Sequence, residues 1–240
     1  MTDATLTPAA PAHPPHAGAI ADARIAQIDM LRGLVIVLMA LDHVRDYFFT
    51  GGGLAGNPLD PTTTTAWLYT TRWITHLCAP TFVLLSGVSA YLQLARGKPV
   101  GRLSQFLMTR GLWLIFLEAT VLSFGWSFGF PYPFFLQVIW AIGWAMLALA
   151  ALVWLPRNVV LAIGVAIIAG HNLLDPINAG ELGVWSLAWT FLHDGGPIFV
   201  GEQPIGLMAY PVLPWIGVIA FGYGFGGLFT EAPAKRDRRS

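Results

Sequence analysis

Six long apolar runs, at roughly 28–49, 73–95, 106–124, 134–155, 159–174 and 205–229, govern what this chain can fold into. Each approaches the length of about 20 residues that an α-helix needs to cross a hydrocarbon core. Segments bearing proline, glycine or charge divide the runs, as breaks between membrane helices should. Charged residues are only 11% of the chain, against about 25% in a soluble domain. That leaves too little polar surface to face water on all sides. Ten tryptophans and fifteen phenylalanines suit helices whose ends are anchored at the headgroup level. No internal repeat and no alternation strong enough for a barrel interrupts the pattern. The expected fold is an all-α polytopic transmembrane bundle of about six spans. The aromatic stretch 185–192 is too short to span and is expected to lie flat at the outer interface.

Basic residues set the expected orientation. Arg24, Arg96, Lys98, Arg102, Arg110, Arg157, Lys235, Arg236, Arg238 and Arg239 are ten of the thirteen Lys and Arg residues, and all fall on one side if the N-terminus is inside. The connections 51–71 and 175–203 carry acids and no Lys or Arg. The positive-inside rule puts both termini in the cytoplasm and these connections outside, in a multi-pass protein of a bacterial-type inner membrane. Residues 1–22, rich in Ala, Pro and His, read as a disordered tail. Residues 23–230 read as the transmembrane domain, and 231–240 as a basic cytoplasmic tail. A single cysteine, Cys78, excludes an internal disulfide framework and a cysteine-based zinc site, and no metal-ligand spacing occurs. A formal net charge of zero gives no sign of a nucleic-acid partner.

The first run carries polar residues that a simple anchor does not need. At 100° per residue, Asp29, Arg32, Ile36, Met39 and His43 share one helix face. Arg32 and His43 lie about 16 Å apart along the axis, which joins a cation near one boundary to an imidazole near the other. Ionisable groups at such depths are costly and face a protein interior or a watery cavity. Asp29 and Arg32 suit either a headgroup anchor or a functional site. Asp42, Arg45 and Asp46 suit an interfacial ion cluster. His43 is the candidate proton-transfer group, with Asp42 to orient or charge it. The second run opens with His76 at a comparable depth, so the two histidines are positioned to converge, and Pro80 is expected to kink the helix. Glu118 lies inside the third run, to be paired with Arg32 or another polar group, or held protonated. His171, Asn172, Asp175, His193 and Asp194 read as solvated loop residues at the outer face.

Three blocks resemble a known family. Asp29-Met-Leu-Arg32-Gly33 with Asp42-His43-Val-Arg45-Asp46 forms the first, His76-Leu-Cys-Ala-Pro80 through Gly87 the second, and Tyr210-Pro-Val-Leu-Pro214-Trp215-Ile-Gly217 the third. Together they resemble the bacterial heparan-alpha-glucosaminide N-acetyltransferase catalytic-domain-like family, and the first also resembles the wider transmembrane acyltransferase group. The resemblance implies transfer of an acetyl group from cytoplasmic acetyl-CoA to an amine or hydroxyl, often on a sugar, at the outer face. It implies that His43 matches the first-helix histidine of the acyltransferase group and Arg32 its helix-start arginine. The lysosomal branch has asparagine near the His43 position and a histidine in the following loop, where this chain has none in 51–71. This departure bears on the glucosaminide acceptor more than on the acyl chemistry. Family members run well past six spans, so the ending at Lys235–Ser240 is expected to be the start of a linker in a truncated chain.

The expectation is an integral membrane acetyltransferase: His43, Asp42 and His76 at the chemistry, Arg32 and Asp29 toward acetyl-CoA, no metal, and partners limited to the bilayer and a small-molecule or glycan acceptor. A homo-oligomer is left open. The alternatives are a proton-coupled transporter or export partner relaying protons through His43, His76 and Glu118, and an inactive fragment.

Overall fold

The computed structural model describes residues 26–48, 60, 62, 64–131 and 133–230. The tails 1–22 and 231–240, Arg24, and 51–59 of the first outer connection lie outside the described residues, as does the side chain of Asp46.

Helices dominate. The first apolar run is α1 (Ala26–Phe48). The second is divided into α2 (Ala66–Thr75) and α3 (Cys78–Ala95). Pro80 explains the break: it has no N–H for the carbonyl of His76 four residues back, and its ring crowds that carbonyl. Leu77 N–H instead closes a tighter turn on Ile74 O at 3.2 Å, and Thr81 donates both N–H and Oγ1 to Leu77 O at 3.2 and 2.7 Å. The third run is α4 (Val100–Leu117), a π-turn at Glu118–Leu122 and the short α5 (Ser123–Ser127), in one continuous rod. The others are α6 (Val138–Leu152), α7 (Arg157–Gly170) with a 3₁₀ turn at His171–Leu174, and α9 (Val212–Phe225) with a 3₁₀ turn at Gly226–Phe229. Before α9, the short α8 (Ser186–Trp189) leads into a π-turn at Thr190–Asp194.

Among the described residues, four rods are long and apolar enough to cross a membrane: Ala66–Ala95, Val100–Ser127, Arg157–Leu174 and Val212–Phe229. They cover four of the six expected runs, by length and composition alone. The 23 residues of α1 extend about 34 Å, but Asp29, Arg32, Asp42 and Arg45 dilute its apolarity. The 15 residues of α6 reach only about 22 Å.

The all-α expectation is corrected locally. Strands β1 (Phe134–Leu136), β2 (Gly196–Val200) and β3 (Gln203–Met208) form a sheet in the order β1-β3-β2. β1 runs parallel to β3 with Phe134 opposite Gly206, and β2 runs antiparallel with an irregularity between Ile198 and Phe199. So the sixth run does not begin at Ile205: that residue is in β3, and Pro211 starts the helix.

Packing fixes the helix directions. Apolar lipid gives helices little reason to associate, so close backbone approach through small residues does the work. A Cβ on Gly87 of α3 would stand 2.7 Å from Tyr223 N of α9, and one on Gly164 of α7 would stand 2.9 Å from Gly217 O of α9. α9 therefore lies between α3 and α7, parallel to the first and antiparallel to the second. Gly111 and Gly143 bring α4 and α6 together in the same way. Buried Ser104 Oγ adds a 2.7 Å hydrogen bond to Ala150 O. Val83, Leu103, Leu149, Val160 and Ile219, all fully buried, knit these helices into one core.

These directions sort the polar groups by end. Arg32, Arg96, Lys98, Arg102 and Arg157 lie at one end of the bundle, with Arg110 two turns inward. The end of α1, the α2–α3 junction, Glu118, the sheet and the 171–194 connection lie at the other.

Candidate functional site

α1 turns Ile28, Val35 and Asp42, spaced by seven, toward its neighbours: Ile28 and Val35 are buried and Asp42 is half-buried. The opposite side exposes Met30, Leu34, Val37, Leu41 and Val44, as a lipid-facing surface would. Two polar attachments hold the helix. At the basic end the Arg32 guanidinium donates to Ser89 Oγ of α3, with longer 3.5 Å contacts to Leu85 O and to Asp29 Oδ1. Ser89 Oγ itself donates to Leu85 O at 2.5 Å.

The second attachment is a polar cluster around Asp42 near the other end of the helix. Arg72 Nη1 donates to both Asp42 oxygens at 3.0 and 2.8 Å. Thr75 Oγ1, on a buried residue, donates to Asp42 Oδ1 at 2.7 Å, and Arg45 pairs with the same oxygen. Arg72 and Thr75, three residues apart on one face of α2, stand against the end of α1. Beside it is a cavity of about 320 Å³ lined by Leu41, Val44, Arg45, Phe48, Trp67, Leu68, Thr71 and Thr75. That volume lies at the low end of the range of about 300–1,000 Å³ usual for small-molecule sites.

His43 and His76 stand at this same end, and both are exposed. His76 Nδ1 is 2.8 Å from Arg72 O, one turn back in its own helix. Among the described residues no hydrogen bond joins His43 to Asp42 or to His76. Adjacent helix positions diverge by 100°, so Asp42 faces α2 while His43 faces out. Arg72 and Thr75 are the partners that sequence reasoning missed as site residues. Their signal was present: a basic residue and a hydroxyl three apart, entering an apolar rod opposite a lone intramembrane carboxylate.

Glu118 does not meet Arg32. Its side chain is 2% exposed and accepts Gln137 N–H at 2.7 Å, just before α6. Ser123 Oγ, also buried, donates to Glu118 O at 2.7 Å and accepts Phe135 N–H at 3.0 Å. The π-turn thus presents two acceptors to backbone donors leading into α6, which is a structural use of the carboxylate. His193 and Asp194, expected as solvated, are instead drawn together with His171 and Asp175. His193 Nδ1 lies 3.0 Å from Asp194 Oδ1, and Nε2 lies 3.0 Å from His171 O. Among the described residues no group of three or more metal-ligating side chains forms.

Neither the comparison with curated proteins nor that with solved structures gave a match. The sequence model for the catalytic region of heparan-alpha-glucosaminide N-acetyltransferase matches residues 24–240, nearly the whole chain and all three motif blocks. With its apolar rods, this makes the protein a membrane protein of acetyltransferase type. The chain belongs to the heparan-alpha-glucosaminide N-acetyltransferase catalytic family.

Proposed function

We propose that the chain transfers the acetyl group of acetyl-CoA to an amine or hydroxyl on a small, sugar-like acceptor, taking the coenzyme at the basic end and the acceptor at the His43 end. The observation that carries this reading is the family match over 24–240. In cells the basic end would face the cytoplasm across an inner membrane, as the positive-inside rule asks.

The basic end suits the coenzyme's phosphates. Among the described residues no carboxylate lies within ion-pair distance of Lys98, Arg102, Arg110 or Arg157, and Arg32 is 37% exposed beside Asp29. Guanidinium and ammonium groups without local counter-ions bind phosphate well. Arg32, with Asp29 to hold it and Arg96 or Arg102 nearby, would hold the donor. When bound, the donor supplies an acetyl thioester.

The remaining work falls to the chain's own groups. His43 takes the proton from the acceptor nitrogen or oxygen as the new bond to the acetyl carbon forms and the thioester C–S bond breaks, and the departing coenzyme A thiolate recovers a proton. His76 stands at the same end as a second proton carrier. Asp42 acts through others: held by Arg72 and Thr75, it fixes the end of α1 that carries His43, so it is a positioning residue.

The test is acetyl-CoA binding and acetyl transfer to an amino-sugar panel by the purified chain, its Arg32→Ala variant and its His43→Ala variant. Arg32→Ala should weaken coenzyme binding about tenfold or more, the value of a charge-assisted contact. His43→Ala should still bind coenzyme and lose transfer by roughly 10²–10⁴-fold, the usual size of general-base assistance. Undiminished transfer by His43→Ala overturns its role. A folded chain indifferent to coenzyme that moves a solute with protons overturns the enzymatic reading in favour of transport.

A further inference from the structure

The His193 side chain is 7% exposed, yet both its ring nitrogens face acceptors. Nδ1 meets Asp194 Oδ1 at 3.0 Å, and Nε2 meets His171 O at 3.0 Å and Asp175 Oδ1 at 3.4 Å. A neutral imidazole has one N–H, so only the imidazolium can donate to both sides. The ring also stacks on Trp189, with centroids 5.2 Å apart and planes 22° apart, a face that favours a cation.

The same segment grips the start of its own loop at two further points. Asp194 Oδ2 accepts Ala179 N–H at 2.9 Å, and Trp189 Nε1 donates to Ile177 O at 2.8 Å. Phe191, between them, meets Trp140 and Trp144 of α6 edge-on. The turn therefore ties the end of α7, the 175–181 stretch and α6 together, just before β2.

We propose that protonated His193 is a latch that holds the 171–194 connection closed at the end of the bundle bearing Asp42, and that deprotonation opens it. The groups that face the ring are Asp194 on its own turn, with Asp175 and His171 on the 3₁₀ turn and connection after α7. α6 brings only uncharged side chains, and the part of α9 near this turn has no ionisable group. In the neutral ring one nitrogen would turn a lone pair on its acceptor and that hydrogen bond would be lost.

The electrostatics agree with the geometry. The Asp194 hydrogen bond raises the His193 pKa above its usual value; burial opposes this, and the His171 carbonyl and the two carboxylates reinforce it. A raised folded-state pKa means stabilisation fully present below the unfolded value of about 6.5 and lost as pH rises through the folded value. The latch is closed in acid and opens toward the alkaline side.

Hydrogen exchange read by mass spectrometry on the full chain in detergent tests this, with each rate divided by its intrinsic rate at that pH. In the wild type, protection at Ala179 and across 171–195 should fall roughly tenfold as pH rises through the transition, about the value of one charge-assisted hydrogen bond. His193→Gln should be poorly protected there at every pH, with protection in α3 and α9 intact. Asp175→Asn, at a carboxylate 58% exposed, should keep the step and move it to lower pH. A wild-type profile without a step, an identical step in His193→Gln, or an unmoved step in Asp175→Asn would each overturn the latch.

Discussion

Replacing Gly111 by alanine puts a Cβ 2.7 Å from Gly143 O and 3.1 Å from two carbons of Leu147, against ordinary contact beginning at 3.4 Å. Leu147 can yield by rotating, but a carbonyl in the middle of α6 cannot. The α4–α6 pair must open locally by ~0.7 Å. Loss of contact at that gap and off-rotamer shifts in a packed core cost about 1–3 kcal/mol. Alanine recovers up to about 1 kcal/mol through helix propensity in any helix interior. Gly33→Ala isolates that gain, because nothing lies within 4 Å of its Cβ position. The two variants should therefore differ by about 1–3 kcal/mol, with Gly33→Ala at or above wild type and Gly111→Ala the less stable of the two. Thermal unfolding of both in one detergent, followed by retention on a sizing column, measures the difference. Equal midpoints would refute the argument that close backbone approach holds these helices together.

Three other outcomes follow from the polar contacts. A double-mutant cycle on Asp42→Asn and Arg72→Gln should give a coupling of about 1.5–3 kcal/mol in unfolding free energy, as for a charge-assisted bidentate pair, and additive effects would show that the pair holds nothing. Glu118→Gln keeps an oxygen for Gln137 N–H and should unfold near wild type, whereas Glu118→Ala leaves a buried donor unpaired and should cost about 1–3 kcal/mol in the same assay. Pro80→Ala restores the N–H that His76 O lacks, so α2 should straighten onto α3 and the Asp42 cluster should loosen. The readout is faster proteolysis or exchange at 66–75, and unchanged protection there would mean that the break has another cause.

Helices in lipid must be apolar on nearly every side and close all their backbone bonds internally, so α3, α4, α7 and α9 are legible as runs. α1 is legible only as a length, because it carries five charges, of which Arg32 and Asp42 find partners on α3 and α2. The sheet was hidden because three to six residues carry no readable period, and β1 finds β3 about seventy residues away. In the site, Asp42 and His43 stood out as ionisable groups in an apolar rod. Their division of labour did not, since Arg72 is thirty residues from Asp42 and meets it only after the chain has turned. His193 was missed for a related reason: burial of a loop histidine depends on where the end of α7 stops, which no local pattern states.

The place of α9 between α3 and α7 has a consequence for how the protein is made. α3 and α7 meet mainly through this one helix, which leaves the ribosome after both. Until then the faces of α3 and α7 that α9 covers have nothing to pack on but lipid, although α4 and α6 already pair with each other. Assembly of the core is therefore a late event of biosynthesis, and a nascent chain stalled before Val212 would remain open to quality-control proteases in the membrane.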